Sequence, residues 1–269
     1  MTIQWSLVLF TVVAGCGGWV FSCGAAQSAF QGKTKLGQTC SLIGAVLLVL
    51  GGLISVTHLS HPDRMLAALS HPTSGIFTEA ALIGMLIVFA VAFFIASKRN
   101  AGPGALKALA VCGVALAAVF SFACGSSYMM SSRPAWDTIA IPASYFGTVT
   151  AAGLACYAFA AKLADGDAFA AKPVSTLLLG GAGAAAVTLA ALAIVDAEWI
   201  GTGVAAFALA CVGSVAAPLA GGIVLRKNGT ADTAVLGACA AAAVIGAIAL
   251  RVFMWQMGVP SMDCFGTVL

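Results

Sequence analysis

Eight long apolar runs, each close to the length that crosses a bilayer, constrain this chain more than any other feature of its sequence. A helix needs about 20 mostly apolar residues to span the hydrocarbon core. Runs of that size cover roughly Gln4–Ala29, Leu36–Val56, Gly75–Ser97, Ala105–Ser127, Thr138–Ala161, Val174–Val195, Trp199–Leu225 and Thr233–Trp255. Only 8% of the 269 residues are charged and 61% are hydrophobic. A surface that poor in charge does not stay dispersed in water, so the bilayer is the solvent for most of the chain. The runs lack the period-2 alternation of a strand barrel. The expected fold is therefore an all-α integral membrane bundle of eight transmembrane helices, one transmembrane domain over residues 1–269. The sixth and seventh runs are separated only by "DAEW" (Asp196 to Trp199), which predicts a tight antiparallel hairpin.

The first run has no basic stretch before it and is longer than a signal peptide's apolar region, so it reads as a retained span. Glycine is abundant, 31 residues, and in lipid small residues let helix backbones approach one another. Nine cysteines are scattered through the chain without a Cys-x-x-Cys pair, and most lie inside apolar runs. There they read as small buried hydrophobes. No iron–sulfur cluster is expected within this chain.

Positive charge predicts the orientation. Loops one, three, five and seven hold Lys33, Lys35, Lys98, Arg99, Lys107, Lys162, Lys172, Arg226 and Lys227. Loops two, four and six hold only Arg64 and Arg133. The odd loops are thus expected inside, and both termini outside. Two polar stretches then fall on the outer side. One is "THLSHPDRMLAALSHPTSGIFTEA", Thr57 to Ala80, with all three histidines of the chain; the other is "YMMSSRPAWDT" after the fourth run.

Ionisable side chains in a membrane are costly, so the ones that persist are functional candidates. His58 closes the second run. Pro62 and Pro72 bracket a short interfacial helix expected near residues 63–71, with Arg64 at its start. Glu79 lies about one turn, roughly 6 Å, inside the third run. A carboxylate at that depth should titrate high or find a cation, and Arg64 is near enough in sequence to supply one. Simpler readings exist for each. His58, His61 and His71 read as ordinary interfacial loop residues, Glu79 as an interfacial charge, and Arg64 as a side chain snorkelling to headgroups. Arg251, inside the eighth run in "IALRVFMWQMG", either snorkels or pairs across the bundle with Glu79 or Asp137. A bis-histidine haem is not expected, because all three histidines fall between 58 and 71 and facing spans have none. The spacing of His58, His61 and His71 would suit zinc, but nothing else in the chain supports a metal site.

These residues resemble the membrane-anchor subunits of DMSO reductases. The likeness rests on His58-Leu59, Pro62-Asp63-Arg64, Ser74 and Glu79, and on Arg133-Pro134-Ala135-Trp136 after the fourth run. The opening "QWSLVLFT" and the closing "LRVFMW" fit more loosely. Ser60 stands where the family usually has Gly, and Asp137 where Asn is common. The resemblance implies a multi-pass anchor in the bacterial cytoplasmic (inner) membrane that binds and oxidises menaquinol. The electrons would pass to a four-cluster ferredoxin-like iron–sulfur subunit and on to a molybdopterin catalytic subunit of an anaerobic terminal reductase for DMSO or a related S- or N-oxide. It assigns quinol binding and proton transfer to His58, Arg64 and Glu79, with Ser60, Ser74, Phe77 and Arg251 as candidates for the layer around them. Arg133 and Trp136 would shape the partner-docking face. Menaquinol would be bound as substrate. Membrane lipid is the expected surrounding, and no nucleic-acid partner is expected. The competing expectation is an eight-span small-solute or ion transporter. Against it, the second half shows no broken, charge-bearing segment matching one in the first.

Overall fold

The computed structural model describes residues 2–57, 74–166 and 169–258. Among them are eight helices long and apolar enough to cross a membrane, and no strand. They are α1 (Trp5–Gln31), α2 (Thr34–Val56), α3 (Gly75–Lys98), α4 (Pro103–Ser126), α5 (Ala140–Asp165), α6 (Ala171–Val195), α7 (Val204–Asn228) and α8 (Thr233–Met257). All eight coincide with the apolar runs to within a few residues. The interfacial helix expected near residues 63–71 lies outside the described residues.

The helices alternate in direction, so the turns collect at two ends. At one end are the α1–α2, α3–α4, α5–α6 and α7–α8 turns with the Lys and Arg residues of the odd loops; we call this the basic end. Each of these four turns has one described residue in the left-handed region: Gly32 (φ 71°), Asn100 (φ 52°), Gly166 (φ 52°) and Gly229 (φ 70°). Such a residue closes a helix by turning its N–H back onto the last carbonyls, as Gly32 does to Ser28 O and Gly229 to Leu225 O. Lys33 in the first turn reaches Asp165 at the end of α5 (2.6 Å) and ties two of these turns together.

The two halves repeat one packing scheme. α1 lies against α2 and α4, with α2 on α3 and α3 on α4; α5 lies against α6 and α8, with α6 on α7 and α7 on α8. The halves join where α5 meets α1 and α4. α1 and α5 are thus the central helices. They are also the least apolar of the eight, and they carry half of the buried polar side chains, among them Thr11, Ser22, Gln27, Ser144, Thr148 and Thr150. The other helices turn Leu, Val and Ile outward, as at Leu53, Val88 and Val187. Close approach depends on glycine: a Cβ on Gly44 of α2 would stand 2.7 Å from the Gly17 carbonyl of α1.

The seventh span departs from the sequence expectation in two ways. It begins at Val204 instead of near Trp199, because a 3-10 segment, Ala197–Thr202, follows Asp196. Gly201 and Gly203 bracket Thr202, whose hydroxyl donates to the Trp199 carbonyl (2.7 Å) and closes that turn. The connection is therefore longer than a tight hairpin. The span is also interrupted by a π turn, Val212–Ala216. Pro218 follows directly; it lacks an N–H and its ring would strike the carbonyl four residues back, so a widened turn ahead of it relieves both problems. At this turn the backbones of α7 and α8 touch, with Gly213 against Gly246.

Two predictions follow from this packing. Gly44→Val should force α1 and α2 apart and cost about 1–3 kcal/mol, seen as a lowered unfolding midpoint in detergent. Gly84→Val, where a Cβ meets nothing within 4 Å, should leave the midpoint unchanged. At the opposite end, Asp196 is only 5% exposed and its Oδ2 has no partner. Burial, and then the charge of Glu198, push its carboxyl from 3.8 up to about 6. In that window the folded chain keeps a proton that the unfolded chain has lost, so stability should fall as pH rises towards about 6 and stay level above it. Asp196→Asn should abolish this slope in thermal unfolding scans made across the window, and should be at least as stable as the parent at neutral pH.

Candidate functional site

The site starts at the first turn of α3. Ser74 is its N-cap: the Oγ accepts the N–H of Phe77 (3.1 Å), while the Thr78 hydroxyl donates to the Ser74 carbonyl (3.2 Å). This cap sets where α3 begins, and so fixes Glu79 one turn inside. Glu79 is half-buried, with its carboxylate beside the hydroxyl of Ser127 at the end of α4. The two helices meet closely here, since a Cβ on Gly75 would stand 2.9 Å from Ser127 Oγ.

Next to this contact a cavity of about 710 Å³ opens between α3, α4 and α5. That volume lies within the range of small-molecule sites. One part of its wall is polar, from Thr78, Ser126 and Ser127; the rest is Ala118, Val119, Phe122, Ala123 and Phe146. Two of these hydroxyls share a property that matters for what can bind. Thr78 donates its proton to Ser74 O and Ser126 to Phe122 O, both at 3.2 Å, while the Ser127 hydroxyl lies between Ala123 O (3.2 Å) and the Glu79 carboxylate. Toward the cavity Thr78 and Ser126 therefore offer lone pairs. Together with the neighbouring carboxylate, this makes a hydrogen-bond-accepting end on an otherwise apolar pocket.

Behind the α4–α5 side of the cavity lies a layer of buried aromatics. Tyr128 packs on Tyr145 (ring centroids 5.7 Å), on Trp136 (6.0 Å) and on Trp255 (6.3 Å). The Tyr128 phenol is pushed well above its ordinary range, first by burial and then by Tyr145 and the Glu79 charge, while Arg251 acts in the other direction. It stays protonated, a hydrogen-bonding group and not a proton acceptor.

Arg251 is fully buried. Its Nε donates to Thr11 Oγ1 of α1 (2.8 Å), and its Nη1 to Ala247 O (2.8 Å) and Thr148 Oγ1 of α5 (3.4 Å). Both threonines pass their own protons to carbonyls of their helices, so they too act as acceptors. The guanidinium carbon sits 4.2 Å over the Tyr145 ring. Neither sequence expectation for Arg251 survives. It does not snorkel, and between described residues the only salt bridge is Lys33–Asp165, so Arg251 pairs with neither Glu79 nor Asp137. Three helices converge on it and meet its Nε and Nη1 with hydroxyls and a carbonyl instead, while Nη2 has no hydrogen-bond partner.

The Arg133–Trp136 element has a definite structural role. Trp136 is buried and its indole N–H donates to Met254 O (2.8 Å); Arg133 donates to Gly258 O (2.7 Å) and stacks over the Trp136 ring at 4.4 Å. These carbonyls belong to the end of α8, which its own helix leaves without donors. Any contribution of Trp136 to a docking face is made from below, by holding the α4–α5 connection in place.

Of the residues singled out from sequence, Glu79 stands beside the cavity through its contact with Ser127, Ser74 caps its helix, and Phe77 is half-buried on α3; neither Glu79 nor Phe77 is among the lining residues. His58, Ser60 and Arg64 lie outside the described residues. Sequence reasoning missed Thr78, Ser126, Ser127, Phe122, Phe146 and Tyr145. Ser126 and Ser127 read as the polar edge of an apolar run, and only the fold places both in the cavity wall with Ser127 beside Glu79. Tyr145 carried a usable signal, because a tyrosine within an apolar run needs a partner for its hydroxyl; here that hydroxyl donates to Met254 Sδ (3.3 Å). Among the described residues, no group of three or more His, Cys, Asp or Glu side chains is arranged to hold a metal ion.

None of the curated proteins compared with this chain matches it. The model of the DMSO reductase anchor subunit (DmsC) family matches residues 1–201, most of the chain, and the chain belongs to that family of membrane anchors.

Proposed function

We propose that this anchor binds menaquinol in the cavity between α3, α4 and α5 and oxidises it for its partner subunits. The observation that carries the reading is the cavity's accepting end. A quinol presents two O–H donors on a flat apolar ring; the cavity offers it the Thr78, Ser126 and Ser127 hydroxyls at one end, with the Glu79 carboxylate beside Ser127 at its edge, and Phe122 and Phe146 along its walls. The isoprenoid tail would run along the apolar wall toward lipid. Glu79 would take or relay a proton, and His58, whose ordinary pKa is near 6.5, would accept the other. Arg64 would orient Glu79.

The electrons would pass to a four-cluster ferredoxin-like iron–sulfur subunit and from there to a molybdopterin catalytic subunit. The terminal acceptor would be DMSO or a related S- or N-oxide. Iron–sulfur clusters and the molybdenum cofactor would sit in those partners, and this chain would supply the quinol pocket and the proton acceptors. The Lys and Arg residues of the four odd turns favour that end facing the bacterial cytoplasm, with the cavity and both termini on the outer side of the inner membrane. Membership of an anchor family weighs against the transporter alternative.

The test is quinol oxidation by membranes carrying the complex with His58→Ala or Glu79→Gln. Each change should lower the rate by about 100-fold, the scale of a lost proton acceptor, while the partner subunits still co-purify. Near-normal rates in both variants would overturn the proposal.

A further inference from the structure

Arg251 lies beyond the segment that the family model matches, yet the fold brings it to the back of the cavity. Its guanidinium lies on the Tyr145 ring, and the next residue, Phe146, lines the cavity. Tyr145 packs on Tyr128, which follows the cavity residue Ser127 in sequence. The cation is thus one aromatic layer behind the α4–α5 wall. It is fully buried, its Nη2 has no hydrogen-bond partner, and between described residues no carboxylate lies within 4.0 Å of it. A cation in that position is not neutralised locally, so its field extends into the surrounding low-dielectric region. Structural need alone does not account for it. Burying a charge without a counter-ion costs several kcal/mol, and an apolar residue of similar volume would pack α1, α5 and α8 without that cost.

We infer that Arg251 is a positioning residue of the quinol site: a fixed cation, held by Thr11, Thr148 and the Ala247 carbonyl, that favours the anionic form of the quinol head in the adjacent cavity. The inference rests on the quinol reading and deepens it. A quinol gives up its first proton to a base at the cavity mouth and leaves a singly charged anion. That anion then yields two electrons to the iron–sulfur partner and its second proton to the mouth, and becomes the neutral quinone. Only the intermediate carries negative charge. A cation fixed behind the wall lowers its energy relative to both neutral ends of the reaction, while the aromatic layer keeps the guanidinium from closing onto the oxygen as a permanent ion pair.

The test compares two probes of the same ring and nearly the same size. Lawsone, a hydroxynaphthoquinone, is an anion at neutral pH; menadione, a methylnaphthoquinone, is neutral. Their binding to the full chain with its co-purified subunits in lipid nanodiscs is followed by quenching of tryptophan fluorescence. Wild type should prefer lawsone by about tenfold or more. Arg251→Gln should lose that preference and keep its affinity for menadione, and Arg251→Lys, which retains the charge, should keep the preference. Where Arg251→Gln does not assemble, the Thr11→Val/Thr148→Val double variant, which frees the guanidinium from its holders, should reduce the preference. A preference unchanged in Arg251→Gln or in the Thr11→Val/Thr148→Val variant, or absent from wild type while both probes bind, overturns the inference and leaves the quinol pocket standing. A wild type that binds neither probe overturns the quinol reading and this inference with it.

Discussion

A polar group inside hydrocarbon has only the protein to bond to, and that constraint organises most of what is distinctive here. The hydroxyls show it most simply. Ser22, Ser41, Ser121, Thr148 and others donate to a carbonyl one turn back on their own helix. That bond satisfies the proton and leaves the oxygen free to accept. Where such an oxygen faces another helix it becomes a receptor for a donor: Ser121 takes the indole N–H of Trp19, and Thr11 takes Arg251 Nε. Where it faces a cavity, the receptor is left for a ligand. The mouth between α3 and α4 and the seat of Arg251 are two outcomes of the same rule.

The same constraint explains which parts of the fold could be read in advance. Spans are legible because each must supply about 20 apolar residues in sequence, a local requirement. The eight boundaries therefore came out close, and the basic turns marked one end. The π turn at Val212–Ala216 was less legible. Pro218 announced a disturbance, but its form depended on the approach of Gly246 from another helix. The partners of Arg251 were not legible at all. Thr11 is 240 residues away in sequence and Thr148 is 103. A search for a carboxylate, the usual counter-ion, pointed to Glu79 and Asp137, whereas the fold met the donors with threonines and a tyrosine face. The Arg-Pro-Ala-Trp element was noticed for its residues, but its target, the carbonyl end of α8, is set by packing.

The two halves follow one packing scheme but differ in how closely their outer helices meet. In the second half, α7 and α8 bring their backbones together at Gly213 and Gly246, which closes the space between them. In the first half, α3 and α4 touch at Gly75 and Ser127, and the volume beside them stays open against Phe146 of α5. The wall of that opening is thus shared between halves: its polar residues come from α3 and α4, and its backing of Tyr145 and Arg251 from α5 and α8.

This division has a consequence for electron flow. The cavity lies at the end away from the basic turns, beside the α4–α5 connection that Arg133 and Trp136 pin to the end of α8. On the proposed quinol reading, a partner that takes the electrons would approach from that end, the nearer of the two to the polar part of the cavity. The connection carries exposed Met129, Met130 and Ile139 on a frame made rigid from below by the buried Trp136. On that reading rigidity matters, because the distance an electron has to cross is set by how firmly a docking face is held. Two hydrogen bonds to carbonyls at the end of α8, and Arg133 stacked on Trp136 within the connection itself, supply it.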